Sequence, residues 1–314
     1  MKIVFFGTPD FACIVLKSLI DSDHEVIGVV TGEDKKVGRK QILTEPPVKV
    51  FAKQNNIPVF QFHKIRSEGF ETLKNLNADI FITCAYGQII SEEILNASKY
   101  GTINVHFSLL PKYRGASPVQ MALLMGEEKT GVTIMQTDAG IDTGDIISQK
   151  SIKIEKEDNA ETLFDKLAFL GAGMLKDVLK SFENGTVEFK KQGDKFEYFS
   201  MIKKEDGIID FNKTSTQINN MIRAFYVWPN AYCKMNNKVL KIFKAEEIVF
   251  SDNLSHQNGE IVLCDKSGIV VKCGLNTHLK ILELQLEGSK RMFYKDFING
   301  NKNLLGIVLN GNFA

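Results

Sequence analysis

Asn104 and His106 stand two apart in Gly101-Thr102-Ile103-Asn104-Val105-His106, a short run that reads as a strand. Residues two apart on a strand project to the same face, so both side chains can point into one pocket at the strand end. The Asn amide is a neutral donor suited to negative charge developing on a carbonyl oxygen, and the imidazole can donate or shuttle a proton near neutral pH. A possible third partner lies in Thr137-Asp138-Ala139-Gly140-Ile141-Asp142-Thr143-Gly144-Asp145, which carries three acids and two glycines. Polar loops between strands often have this composition, so at least one of these acids is expected to be purely structural. Asp142 is the candidate for chemistry, because the glycines around it permit close approach to the His side chain. A carboxylate there can favour an imidazolium or take a proton from an attacking amine.

These residues need a scaffold, and the hydrophobic pattern supplies one. An apolar run at 3–6 ends in Gly7-Thr8-Pro9 and is followed by a helical stretch over 11–20 and a second apolar run at 26–30. Strand, helix, strand in that order signals a parallel sheet covered by helices. The spacing predicts further helices at 48–55, 70–76 and 118–125, a long one at 159–182, and strands at 131–137 and 144–155. The run 79–85 has almost no polar alternation, which predicts a strand buried on both faces. Beyond a helix at 216–225 the pattern changes to short strands at 231–235, 238–246, 259–263, 268–273 and 279–286, separated by Asn, Gly and Ser turns. That is the signature of a small β-barrel. We therefore expect an α/β catalytic domain over 1–189, a linker over 190–206 within a charged stretch, and a barrel domain over 207–314.

The whole-chain balance of 39 Lys and Arg against 38 Asp and Glu gives no sign of a polyanionic partner. Residues 207–314, however, hold 13 of those cations and 9 of the anions, a modest basic bias compatible with nucleic acid and equally with an ordinary surface. Five widely spaced cysteines fit neither a zinc knuckle nor a redox pair and are expected as reduced, mostly buried thiols. No leader or membrane-spanning run is evident, so the expected location is the cytoplasm. One glycine and a proline in Gly7-Thr8-Pro9-Asp10-Phe11 argue against a dinucleotide fingerprint, and no phosphate-binding loop motif is present.

Four segments carry a specific resemblance. Gly7-Thr8-Pro9-Asp10-Phe11-Ala12, Cys84-Ala85-Tyr86-Gly87-Gln88-Ile89-Ile90, Asn104-Val105-His106-Phe107-Ser108-Leu109-Leu110-Pro111-Lys112-Tyr113-Arg114-Gly115-Ala116-Ser117-Pro118 and Ile141-Asp142-Thr143-Gly144-Asp145-Ile146 resemble the successive signatures of the methionyl-tRNA formyltransferases. These belong to the wider 10-formyltetrahydrofolate-dependent formyltransferase family. The resemblance spans nearly the whole chain and implies a Rossmann-like formyltransferase domain followed by an OB-like barrel. It implies that Asn104, His106 and Asp142 are catalytic, with Asn104 and a protonated His106 holding the oxyanion and Asp142 orienting His106 and accepting the amine proton. It implies a folate site at Ser108, Leu109, Leu110 and Pro111, shaped by Arg114 and Gly115. Tyr86, Gly87, Gln88 and Ile89 are expected to join it, because a loop at the C-terminal end of a parallel strand is the usual place for a ligand. Gly87 would let the chain pass close to a flat pterin, between apolar walls from Ile89, Ile90, Leu109 and Leu110.

10-Formyltetrahydrofolate is thus the implied co-substrate, no metal is implied, and initiator methionyl-tRNA is the implied acceptor of what we expect to be a monomer. The segment 31–47 is longer than a compact α/β unit needs. In the tRNA-acting members a basic loop sits here, so Lys35, Lys36, Arg39 and Lys40 are expected on the tRNA. Phe107 replaces a proline common among relatives, and Val227 and Asn230 depart from a Pro-Trp-Pro-Gly segment that opens their barrel; Trp228 within it is expected to pack rather than stack on a base. Two other readings stay open: a sugar-nucleotide N-formyltransferase, which would share the trio, and a non-enzymatic RNA-binding protein, which would have no use for it.

Overall fold

Strand β1 (Lys2–Gly7) exposes only its first residue, and its Ile-Val-Phe-Phe run is buried on both faces, as a central parallel strand demands. Around it the computed structural model, which describes residues 1–38, 40–193, 196–251 and 254–312, builds the first of two units. This unit comprises Met1–Pro118, Lys129–Lys153 and Phe164–Phe199. Its strands are β1, β2 (Glu25–Thr31), β3 (Lys35–Val37), β4 (Ile42–Thr44), β5 (Val59–Gln61), β6 (Ile80–Cys84), β7 (Thr102–His106), β8 (Arg114–Gly115), β9 (Lys129–Gln136), β10 (Ile146–Lys153) and β11 (Tyr198–Phe199). Seven of them form one sheet in the order β10-β9-β7-β6-β1-β2-β5. From β7 to β5 all neighbours are parallel, whereas β9 runs antiparallel to β7 and β10 antiparallel to β9.

The parallel strands β1, β6 and β7 lie side by side, so Gly7, Cys84 and His106 leave the sheet at the same edge. Helices α1 (Asp10–Ile20), α2 (Pro47–Gln54), α3 (Ile65–Glu68), α4 (Phe70–Asn75) and α5 (Glu92–Leu95) fill the connections. Helix α6 is Pro118–Leu124, and α7 (Ala160–Glu183) is the long helix. Where α7 passes β7 it carries Gly171, and a methyl group there would stand 2.6 Å from Val105 Cγ1, so only glycine permits the approach. Phe164 on the same helix stacks on Phe11 of α1 with ring centroids 4.4 Å apart. On the other side a core of Phe6, Phe81, Tyr86, Ile65, Leu73 and Ile94 closes over the sheet.

The second unit comprises Val119–Glu128, Ile154–Leu163 and Ser200–Ala314. Helix α8 (Ser215–Ala224) begins at a capping box, Thr214 accepting from the Gln217 amide and the Gln217 side chain answering to the Thr214 amide. Strands β12 (Ala231–Met235), β13 (Lys238–Ile248), β14 (Ile261–Asp265), β15 (Gly268–Lys272) and β16 (His278–Leu286) form an antiparallel sheet in the order β12-β13-β16-β15-β14. A short β17 (Met292–Phe293) joins β16, and α9 (Tyr294–Gly300) follows. The edges at β12 and β14 do not stay open. Lys234 and Asn310 exchange hydrogen bonds, and the Ile261 amide and Gly259 carbonyl bond to Ile307 and Leu309, so the segment 307–310 spans both edges and closes the sheet into a barrel.

The expected linker is divided between the units. Residues 190–193 and 196–199 lie on the first, with Lys190 bridged to Ile146 and β11 paired parallel to β8, while 200–206 go with the second. Charge alone did not mark that stretch as free.

Candidate active site

Asn104 and His106 sit at the end of β7 with the spacing of two that a strand requires, and both side chains reach the loop carrying Asp142. Asn104 Nδ2 lies 3.5 Å from Asp142 Oδ1, and His106 Nδ1 lies 3.6 Å from the same oxygen. His106 is 6% and Asp142 15% exposed, so the group is largely shielded from bulk water.

Each member is held by the protein. Thr83, paired in register with Asn104 on the adjacent β6, donates its hydroxyl to Asn104 Oδ1 at 2.8 Å. The amide is thereby oriented, with Nδ2 turned away from Thr83 and kept for other partners. His106 Nε2 lies 3.1 Å from the Tyr113 carbonyl oxygen. That carbonyl can only accept, so Nε2 carries a hydrogen and Nδ1 is the nitrogen that exchanges a proton on the Asp142 side. Asp142 adopts φ +53°, a left-handed conformation that Asp tolerates better than most residues. Its Oδ2 accepts the Gly115 amide at 2.9 Å, and its own carbonyl accepts Gln192 Nε2 at 2.9 Å. Asp138, by contrast, shapes the turn: one of its carboxylate oxygens accepts from the Gly140 amide and the Thr143 hydroxyl.

Two hydrogen-bond partners of these residues escaped the sequence reading. Thr83 carried a signal, since a hydroxyl in the otherwise apolar, fully buried strand Ile-Phe-Ile-Thr-Cys must find a partner. Gln192 carried none. Arg114, expected to shape the folate site, turns instead to Gln192, donating from Nε and Nη2 to Oε1 at 3.0 and 2.7 Å.

The loop after β6 emerges from the same sheet edge. Gly87 has φ +87°, and no atom lies within 4 Å of where a β-carbon would stand, which leaves room for a flat ring against its backbone. Ile89 is 73% exposed beside it. Tyr86 and Gln88 point elsewhere: the Tyr86 ring packs edge-on against Phe6, where burial pushes its hydroxyl above the usual range, and Gln88 bridges the Ile65 amide and the Phe62 carbonyl. In the second expected segment Ser108 and Leu110 are buried, the Ser108 hydroxyl bonding to the Lys112 carbonyl and the Leu110 amide to Thr133. Leu109 and Pro111 are half-buried. Of the eight residues expected at the folate, Gly87 and Ile89 are exposed and Leu109 and Pro111 half-buried, while the Tyr86, Gln88, Ser108 and Leu110 side chains are packed or bonded within the protein. The phase of burial in these loops depends on tertiary packing, which alternation in the sequence does not report.

The segment 31–47, read as a loop, is a hairpin of β3 and β4 with every strand residue exposed. Lys35, Lys36 and Lys40 are exposed on it, together with Val37, Ile42 and Leu43; Arg39 lies outside the described residues. Lys49 on α2 pins the hairpin's two feet, binding Asp34 Oδ1 at 2.7 Å before β3 and Glu45 at 3.2 Å after β4. These ammonium contacts, with a hydrogen bond from Gln61, hold the Asp34 carboxyl below its ordinary range. Trp228 is 52% exposed rather than packed, because Phe225 and Pro229 on either side are the buried anchors of that turn. A cavity of about 510 Å³ in the second unit is lined by Asn236, Lys238, Asn301, Lys302 and Asn303 among others and contains none of the trio.

Comparison with known proteins adds a family. The Formyl transferase pattern matches residues 1–179, and the Formyl transferase C-terminal domain pattern matches 201–302. The chain is 46% identical over 313 residues to the methionyl-tRNA formyltransferase of Caldicellulosiruptor saccharolyticus, covering 98% of this chain and 100% of that one. It is 43% identical over 311 residues to the enzyme of the same name from Geobacter metallireducens, covering 98% of each. Among solved structures, WlaRD, a sugar 3N-formyl transferase crystallised with dTDP and 5-N-formyl-THF, superposes with a TM-score of 0.64 at 26% identity, over 92% of this chain and 99% of that one.

Proposed function

This chain belongs to the formyl transferase family, and on that premise we propose that it moves the formyl group of 10-formyltetrahydrofolate onto the α-amine of initiator methionyl-tRNA, acting in the cytoplasm as a monomer. Methionyl-tRNA is the acceptor favoured by identities of 43–46% over nearly full length, against 26% for the sugar enzyme.

The observation that carries the mechanism is the convergence of Asn104 Nδ2 and His106 Nδ1 on Asp142 Oδ1 at 3.5 and 3.6 Å, with the Asn104 oxygen, not its NH2, taken by Thr83. The neutral amine attacks the formyl carbon, the bond from that carbon to N10 breaks, and the amine's proton is replaced by the formyl group. Asn104 Nδ2 donates to the formyl oxygen as negative charge develops there. The proton lost by the amine passes to the pair formed by Asp142 and His106 Nδ1, and one proton returns to N10, so the pair ends as it began. The hydrogen bond to the Tyr113 carbonyl keeps the ring from rotating during this exchange. Gly87, Ile89, Leu109 and Pro111 are suited to the folate rings. Lys35, Lys36, Arg39 and Lys40 supply positive charge for acceptor-stem phosphates.

An acceptor panel tests the reading. Formyl transfer from 10-formyltetrahydrofolate to charged initiator tRNA, without transfer to charged elongator tRNA or to an amino-sugar nucleotide, is the expected result. Transfer to the sugar nucleotide alone would overturn it.

A further inference from the structure

Both ends of the Gln192 side-chain amide are engaged, one by the Asp142 loop and one by Arg114. Its Nε2 donates to two carbonyl oxygens, Asp142 at 2.9 Å and Gly144 at 2.8 Å. Its Oε1 accepts both Arg114 hydrogen bonds. Flipping the amide would set Oε1 against two carbonyls and Nε2 against a guanidinium, so its orientation is fixed. Arg114 is itself 7% exposed and lies over the Phe196 ring with its guanidinium carbon 4.5 Å from the centroid. The segment bearing Gln192 is fastened at both ends: Lys190 and Ile146 exchange two backbone bonds of 2.8 Å, and the Arg114 amide donates to the Glu197 carbonyl at 2.9 Å. Lys190 is thus joined to β10, Gln192 to the Asp142 loop and Glu197 to β8, whose Gly115 amide holds the Asp142 carboxylate.

We infer that Gln192 is a positioning residue for formyl transfer, which with Arg114 locks the left-handed Asp142 backbone so that its carboxylate stands against both His106 and Asn104. The inference rests on the catalytic part assigned to Asp142. The local bonds of the loop, from Asp138 to Gly140 and Thr143, shape its outer turn and leave the carbonyls of Asp142 and Gly144 to Gln192. Contacts of 3.5 and 3.6 Å around Asp142 Oδ1 are at the edge of hydrogen-bonding reach, so a small backbone shift moves them out of it.

The test measures single-turnover formylation by the full chain carrying Gln192→Ala or Gln192→Glu, each alone and combined with Asp142→Asn. Gln192→Ala is expected to lower kcat at least tenfold, with KM for folate and for tRNA changed less than threefold. Gln192→Glu keeps the reach and the Arg114 pairing but loses the donor, so it gives a similar fall even if the Ala variant does not fold. On the Asp142→Asn background neither change should lower the rate more than twofold, because the group it positions is already gone. A purely structural role would give the same proportional loss on both backgrounds, and that result, or wild-type kcat in both single variants, overturns the inference alone. Wild-type turnover in Asp142→Asn by itself overturns the role of Asp142 and the inference with it.

Discussion

Replacing Asn104 with Asp exchanges one NH2 for an oxygen and leaves the shape unchanged. The Thr83 hydroxyl can still donate to it, but the new oxygen lands where Nδ2 now sits, 3.5 Å from Asp142 Oδ1. Two unit charges at that separation repel by about 5 kcal/mol at an effective dielectric of about 20. The partial exposure of Asp142 makes that an upper bound. Repulsion of that size favours keeping one proton on the carboxyl pair, so the pair gives up its second proton only at a higher pH than an isolated carboxyl would. The doubly ionised pair offers no donor to the formyl oxygen, a loss of roughly a hundred- to a thousand-fold in kcat. The singly protonated pair has an O–H donor again. The assay is single-turnover formylation by N104D and N104A at saturating substrates from about pH 6 to about pH 9. The ratio of the two rates cancels the titration of the substrate amine, which both share. It is expected near one at about pH 9 and at least roughly tenfold higher by about pH 6. A flat ratio, or N104D within tenfold of the wild-type rate at about pH 8, refutes the placing of a substrate-directed donor beside Asp142.

Three further outcomes follow from the structure. His106→Ala removes the ring that shares the Asp142 oxygen, and turnover should fall by about a hundred-fold or more with little change in Tm, checked by calorimetry beside kinetics. Lys49→Met removes one ion pair from each foot of the β3–β4 hairpin, leaving Gln61 on Asp34 and Lys53 on Glu45, and should raise KM for tRNA several-fold with KM for folate unchanged. Because Lys49 holds the Asp34 carboxyl below its ordinary value, the wild-type clamp is intact above about pH 4 and loosens as acid protonates Asp34 through that lowered range, a change readable in the NMR shifts of the hairpin amides. Burial pushes the Cys13 and Cys84 thiols up to about 11 and about 12, so maleimide at neutral pH should label neither until the protein is unfolded; rapid labelling of native Cys84 would contradict its burial.

Much of this was legible in the sequence, and the exceptions have physical causes. The run Ile80–Cys84 declared its double burial by lacking polar alternation, and the two-residue spacing of Asn104 and His106 placed both on one face of β7. The hairpin at 35–44 was invisible, because residues exposed on both faces leave no period to detect. Helices of four residues at 65–68 and 92–95 are shorter than any helical repeat can mark. The expected linker at 190–206 was read from its charge, whereas the attachment of its residues 190–193 and 196–199 depends on backbone pairing and one amide side chain. No local pattern announces such bonds. Likewise Asp142 became identifiable through the resemblance rather than through spacing, because its partners lie 38 and 36 positions earlier in the chain.

The backbone of Asp142 carries a consequence for how this protein can change. At φ +53° a β-carbon is a burden, and Asn or Gly would rest there at least as comfortably. Either replacement, however, surrenders the carboxylate. On the catalytic part proposed for Asp142, relief of backbone strain and retention of turnover therefore pull in opposite directions at this one position, the strain being held in place by the Gly115 amide on the carboxylate.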